Sequence, residues 1–114
     1  MAFHFCAHSW EVRDLEDGTV VTISNRDLDR ETIAVLVDEL LELVMESGQA
    51  NLYLDFERIG LISSVVIAKM LLLDTKLREH GGRLILLNVN PSNYRLFQAA
   101  RLTDALDIRT LVTA

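Results

Sequence analysis

The longest regular pattern in the chain is TIAVLVDELLELVMES, residues 32–47, in which Ile33, Leu36, Leu40 and Leu43 recur at helical spacing opposite Asp38, Glu39, Glu42 and Glu46. It predicts an amphipathic helix with an acidic outer face, stopped by Gly48. Upstream, WEVRDLEDGTVVTIS alternates instead, with Trp10 and Val12 on one side and Glu11 and Arg13 on the other, before a β-branched run. Segment 10–24 therefore predicts a hairpin turning on Asp17-Gly18. NLYLDF (51–56) and RLILLNV (83–89) are short and β-leaning, and the second is almost continuously apolar, as interior strands are. Between them, residues 64–80 run up to Gly81-Gly82, a length and a stop signal that favour helix despite Val65, Val66 and Ile67. Asn90-Pro91 supplies an N-cap and a first-turn proline for a helix over 91–101, with Leu96, Phe97 and Ala100 on its apolar side. The closing DIRTLVTA is ambiguous, though it is too short and β-rich for a helix of three turns. The order ββαβαβα implies an α/β fold: a mixed sheet of four or five strands with the helices packed over it, and Leu36, Leu54, Leu72, Ile85 and Phe97 inside.

Length and composition narrow this picture. A chain of 114 residues suits one domain spanning 1–114 and is too short for two of ordinary size. With one proline and no repetitive stretch, nothing reads as a linker. The net charge of −6 argues against binding to a phosphate backbone, so nucleic acid is not an expected partner. That charge is uneven: residues 1–57 carry 13 acidic and 3 basic side chains, residues 58–114 carry 4 and 8. The apolar runs fall well short of the roughly 18 residues that suggest a membrane span. Cys6 has no internal disulfide partner, and MAFHFCAHSW has neither a basic start nor a long apolar stretch, which makes the cytoplasm the natural compartment.

Candidate chemistry is sparse. His4, Cys6 and His8 share one side of a strand by spacing, but no fourth ligand is near in sequence, and an ordinary half-buried strand is the simpler reading. Asp27 and Asp29 read as solvent-facing loop acids rather than as an ion site. His80 reads as a helix C-terminal residue. There is no GxSxG, no phosphate-cradling glycine loop and no cofactor motif, so an activity of the chain's own is not expected. Ser63 and Ser64 open the second helix. One hydroxyl suffices for an N-cap, and the same helix terminus would also stabilise an added phosphate.

Several separated pieces carry a resemblance: NRDLDRET at 25–32, LYLDFERIGLISS at 52–64, GGRLILLNVNP at 81–91 and YRLFQAARL at 94–102. Together they resemble the STAS domain, the family of bacterial anti-sigma-factor antagonists, over residues 10–108. Counting from Leu54-Asp55, the family's phosphoacceptor falls on Ser64. Ser63 then stands where the family has aspartate, Val65 where it has Ser or Thr, and Val66 where it has a glycine that admits a docking kinase. Arg101 replaces a further glycine. The resemblance implies partner switching: the unphosphorylated domain binds an anti-sigma factor that is also a serine kinase, phosphorylation releases it, and a PP2C-type phosphatase restores it. ATP would belong to the partner. The implied contact surface comprises Asn25, Asp27, Asp29, Ser63, Ser64, Val65, Ile67 and Lys69. The alternative is an unphosphorylated scaffold or interaction module in a stressosome-like assembly.

Overall fold

A computed structural model of the chain describes residues 10–48 and 51–110. His4, Cys6 and His8 lie outside the described residues. Five strands form one sheet in the order β1-β2-β3-β4-β5: β1 (Glu11–Asp14), β2 (Gly18–Ser24), β3 (Asn51–Arg58), β4 (Leu84–Val89) and β5 (Asp107–Thr110). The pair β1/β2 is antiparallel, and β2/β3, β3/β4 and β4/β5 are parallel. Each parallel step is bridged by a helix: α1 (Ile33–Ser47), α2 (Ser64–Glu79) and α3 (Pro91–Ala99). The ambiguous tail thus contributes a strand, and residues 111–114 lie outside the description.

The ladder register explains which residues are buried. Val21 pairs with Leu54, and Leu54 with Leu86, so Val21, Leu52, Leu54, Leu84 and Leu86 point to one face. There they form a single core with Leu36 and Leu40 of α1, Met70 and Leu73 of α2, and Phe97 of α3. The opposite face presents Thr22, Tyr53, Asp55 and Asp107, and among the described residues no helix belongs to it. Ile85 is buried on that second face, next to Tyr53 in the register.

Local chemistry sets the element ends. Gly48 ends α1 at φ 74°, the left-handed conformation that glycine adopts without strain. At the end of α2, Gly81 sits at φ 82° while its N–H donates to the Arg78 carbonyl and the Gly82 N–H to the Leu77 carbonyl, closing the last turn. Asp74, buried on α2, then fixes where β4 begins. Its Oδ1 accepts from the Leu84 N–H at 2.9 Å and its Oδ2 from Arg78 Nε at 2.7 Å.

Two expectations are corrected. The hairpin bends at Glu16 and Asp17, with the Leu15 N–H donating to the Gly18 carbonyl at 2.8 Å, rather than at Asp17-Gly18. Gly18 already belongs to β2. A Cβ there would meet the Asn51 carbonyl oxygen at 2.5 Å, so close packing against β3, not turn geometry, calls for glycine. Leu72 was placed inside but is 40% exposed, because in the run Met70 to Leu73 the helix turns only Met70 and Leu73 toward the sheet.

Arg101 follows α3 at φ 60°, holding the left-handed position where the resembling family has glycine. Replacing it by glycine removes backbone strain of about 1–2 kcal/mol and returns roughly half of that through the freer unfolded chain. Arg101→Gly is therefore expected to raise stability by about 0.5–1 kcal/mol in urea unfolding. Gly18→Ala, which forces β2 from β3, is expected to lower it by several times that amount.

Candidate functional site

The loop between β3 and α2, Ile59 to Ser63, carries no regular structure of its own, yet side chains from two other loops hold it. Asn25, after β2, accepts the Gly60 N–H on Oδ1 at 2.7 Å and donates Nδ2 to the Leu61 carbonyl at 3.4 Å. Asn90, before α3, donates to the Ile59 carbonyl at 3.3 Å. Asn93, fully buried on α3, donates Nδ2 to the Gly60 carbonyl at 2.6 Å and accepts the Ile62 N–H on Oδ1 at 3.2 Å. Asn90 is itself fixed, because its Oδ1 caps α3 by accepting the Asn93 N–H at 2.8 Å. Three amides therefore satisfy five backbone groups that would otherwise lack partners in a loop without its own ladder.

The clamped loop delivers the two serines to an open edge. Ser63 is the N-cap of α2 at φ −100°, ψ 168°. Its carbonyl accepts the Val66 and Ile67 N–H groups at 3.1 and 3.3 Å. Its hydroxyl makes no capping bond, so Ser63 occupies the cap position that was assigned to Ser64, and Ser64 is the first helical residue. Both are exposed. The first turn of α2 contains no acid of its own, and Asp29 shares with Ser63 the hollow at the positive end of the helix dipole.

The remaining predicted residues divide by burial. Asn25, Asp29 and Val65 are exposed, and Lys69 is half-buried. Asp27, expected to face solvent, is 2% exposed. Its Oδ2 accepts the Ser24 N–H at 2.8 Å and the Ser24 hydroxyl at 3.3 Å, holding the 3₁₀ turn Asn25–Leu28. Ile67 is likewise buried, so of the contact residues Asp27 and Ile67 support the surface from behind. Val66 is 2% exposed and belongs to the core. Val66 thus packs on the core and also lines the hollow beside Ser63, while the exposed residue next to Ser64 is Val65.

Sequence reasoning missed Leu61, Arg30, Asn90 and Asn93. Leu61 is 75% exposed. It joins Asn25, Asp29, Arg30 and Ser63 around a hollow of about 310 Å³ between the 3₁₀ turn and the start of α2. An apolar residue ahead of two serines was visible in the sequence as a signal. The partners of Asn93 were not, since they lie 31 and 33 residues away. Among the described residues no three His, Cys, Asp or Glu side chains gather as a metal site, and no helix is long and apolar enough to cross a membrane.

Comparison with known proteins agrees with the geometry. The family described as "Mlab, STAS domain" matches residues 11–113. No curated protein matches the sequence significantly. Among solved structures, TM1081 of Thermotoga maritima is similar with a TM-score of 0.80 at 14% identity, over 96% of this chain and 87% of that one. The anti-sigma factor antagonist SpoIIAA, solved in its unphosphorylated form, gives 0.71 at 19% identity over 90% and 89%. An anti-sigma-factor antagonist (STAS) domain protein from Planctomyces limnophilus gives 0.71 at 15% over 89% of both chains. At such identities the likeness is one of fold.

Asn93→Ala leaves the buried Ile62 N–H without a partner and takes away the donor to the Gly60 carbonyl. It is expected to cost about 2–4 kcal/mol in urea unfolding. Asn25→Ala, whose loop groups can turn to water, is expected to cost about 1 kcal/mol or less.

Proposed function

The chain belongs to the STAS domain family, and we propose that it acts as an anti-sigma-factor antagonist by partner switching, with Ser64 as the phosphoacceptor. The observation that carries this reading is the exposed Ser64 at the start of α2, on a loop held by three asparagines and flanked by exposed Leu61 and Val65. A protein partner gains affinity from exposed apolar anchors on a fixed backbone, because little order has to be imposed on binding. The similarity in fold to SpoIIAA, an anti-sigma factor antagonist, supports the same reading.

In this account the unphosphorylated protein docks an anti-sigma factor with serine kinase activity through Asn25, Asp29, Leu61, Ser63, Ser64, Val65 and Lys69. The partner supplies ATP and the catalytic groups. The Ser64 hydroxyl oxygen bonds to the γ-phosphorus of ATP as the bond to the bridging oxygen breaks, ADP leaves, and the hydroxyl proton passes to the partner's base or to water. The product carries about −1.5 to −2 charge at neutral pH, at a helix terminus whose free N–H groups and dipole tolerate it. The fold survives, while a doubly charged group now sits between apolar contacts that need to be dry. Removal of the phosphate by a PP2C-type phosphatase restores binding. Val65 stands beside Ser64 on the surface, and Val66 lines the floor of the neighbouring hollow that such a partner would cover.

Incubation with an anti-sigma-type serine kinase and ATP, followed by intact-mass measurement, is expected to add one phosphate to the wild type and none to Ser64→Ala. Ser64→Ala is expected to bind that kinase as tightly as the wild type. Ser64→Asp is expected to stay folded and bind at least tenfold more weakly. Phosphate on both proteins removes Ser64 from this role and moves the acceptor to another residue, and phosphate on neither leaves an unphosphorylated interaction module as the reading.

A further inference from the structure

The outer surface of the helical layer is divided by chemistry. Because α1, α2 and α3 bridge successive neighbours in the strand order, they lie side by side on one face of the sheet with α2 in the middle. On α1 the outward residues include Asp38 and Glu42, both exposed. On α3 the outward residue is Arg95, also exposed. Between them α2 turns outward Val65, Ala68 and Leu72, spaced at i, i+3 and i+7, with Val65 41% and Leu72 40% exposed. Leu71 adds a further 37% exposed leucine on the same helix. A helix covering a sheet normally carries polar residues on its outside, and α1 itself mixes Asp38 and Glu42 with the exposed Val35 and Met45. An apolar stripe on the central helix marks a contact surface. Among the described residues, neither Asp38, Glu42 nor Arg95 takes part in an ion pair.

We propose that this face is where two copies of the chain meet, α2 against α2, about a two-fold axis parallel to that helix. The charges select both the occupant and the axis. A two-fold axis parallel to α2 exchanges left and right across the layer, so the acidic α1 of one copy faces the basic α3 of the other, twice over. The other in-plane axis, across the helices, would set α1 against α1 and bring acid to acid. The parallel axis also preserves height along the helices. Asp38 lies five residues into α1 and Arg95 four residues into α3, and both helices follow parallel strands, so both side chains belong to the first two turns at the same edge of the sheet.

Val65 also lies on the surface proposed above for the anti-sigma partner, so the test relies on Leu72, just under two turns further along α2. Sedimentation velocity on the full chain, from micromolar to near-millimolar protein, is expected to show a monomer–dimer equilibrium reaching twice the chain mass. Leu72→Glu is expected to remain monomeric throughout, with unchanged far-UV circular dichroism. Asp38→Arg and Arg95→Asp, each of which turns two attractive pairs into repulsive ones, are expected to weaken the dimer about tenfold or more. The double variant Asp38→Arg/Arg95→Asp is expected to recover the wild-type constant within a few-fold. A monomer at every concentration, a dimer indifferent to Leu72→Glu, or a double variant no better than the single ones overturns the proposal.

Discussion

The start of α2 is where it is because three asparagine amides hold an irregular loop. Residues 59–62 cross from the end of β3 to the first turn of α2 without a ladder or helix to satisfy their backbone groups. Asn25, Asn90 and Asn93 supply the missing partners from both sides. Each amide carries a donor and an acceptor, and Asn25 and Asn93 use both on this loop. The consequence reaches across the sheet. The β2–α1 connection, the β3–α2 connection and the start of α3 are tied into one unit at one edge, so the exposed serines and Leu61 rest on a fixed frame.

That arrangement separates rigidity from exposure. Asn93 is fully buried and Val66 and Ile67 belong to the core, while Ser63, Ser64 and Val65, next to them in sequence, are open to solvent. A charge added at Ser64 therefore meets solvent and free N–H groups, not a packed interior. Its effect falls on whatever docks there. On the proposed reading, a charge at Ser64 would weaken docking without unfolding the protein, because the groups that hold the loop are not those that would receive the charge.

Much of the fold was legible in the sequence. The helix over 32–47 announced itself through four leucine and isoleucine positions set against four acids, and Gly48 takes the left-handed conformation expected of a stop. Asn90-Pro91 behaved as an N-cap and first-turn proline. The errors have physical causes. Asp17-Gly18 resembles a turn pair, but Gly18 is needed for its missing Cβ against β3. Leu72 belongs to an apolar run that offers no periodicity by which to tell inward from outward. Asp27 looked like a loop acid, but a short turn needed its carboxylate, and that turn buries Asp27 and Leu28. At the site, the serine pair was legible from the helix start. The asparagine clamp was not, since each of its bonds to the loop joins residues more than 30 positions apart.

The clamp can be tested by backbone amide hydrogen exchange at Gly60 and Ile62 in the wild-type protein. If Asn25 and Asn93 hold the loop as described, both amides exchange far more slowly than exposed loop amides, and Ile62, bonded to a buried side chain, approaches the protection of the amides in β3 and β4. Exchange of both at the rate of an open loop would contradict the account, because the serines would then sit on a segment that the three asparagines do not hold.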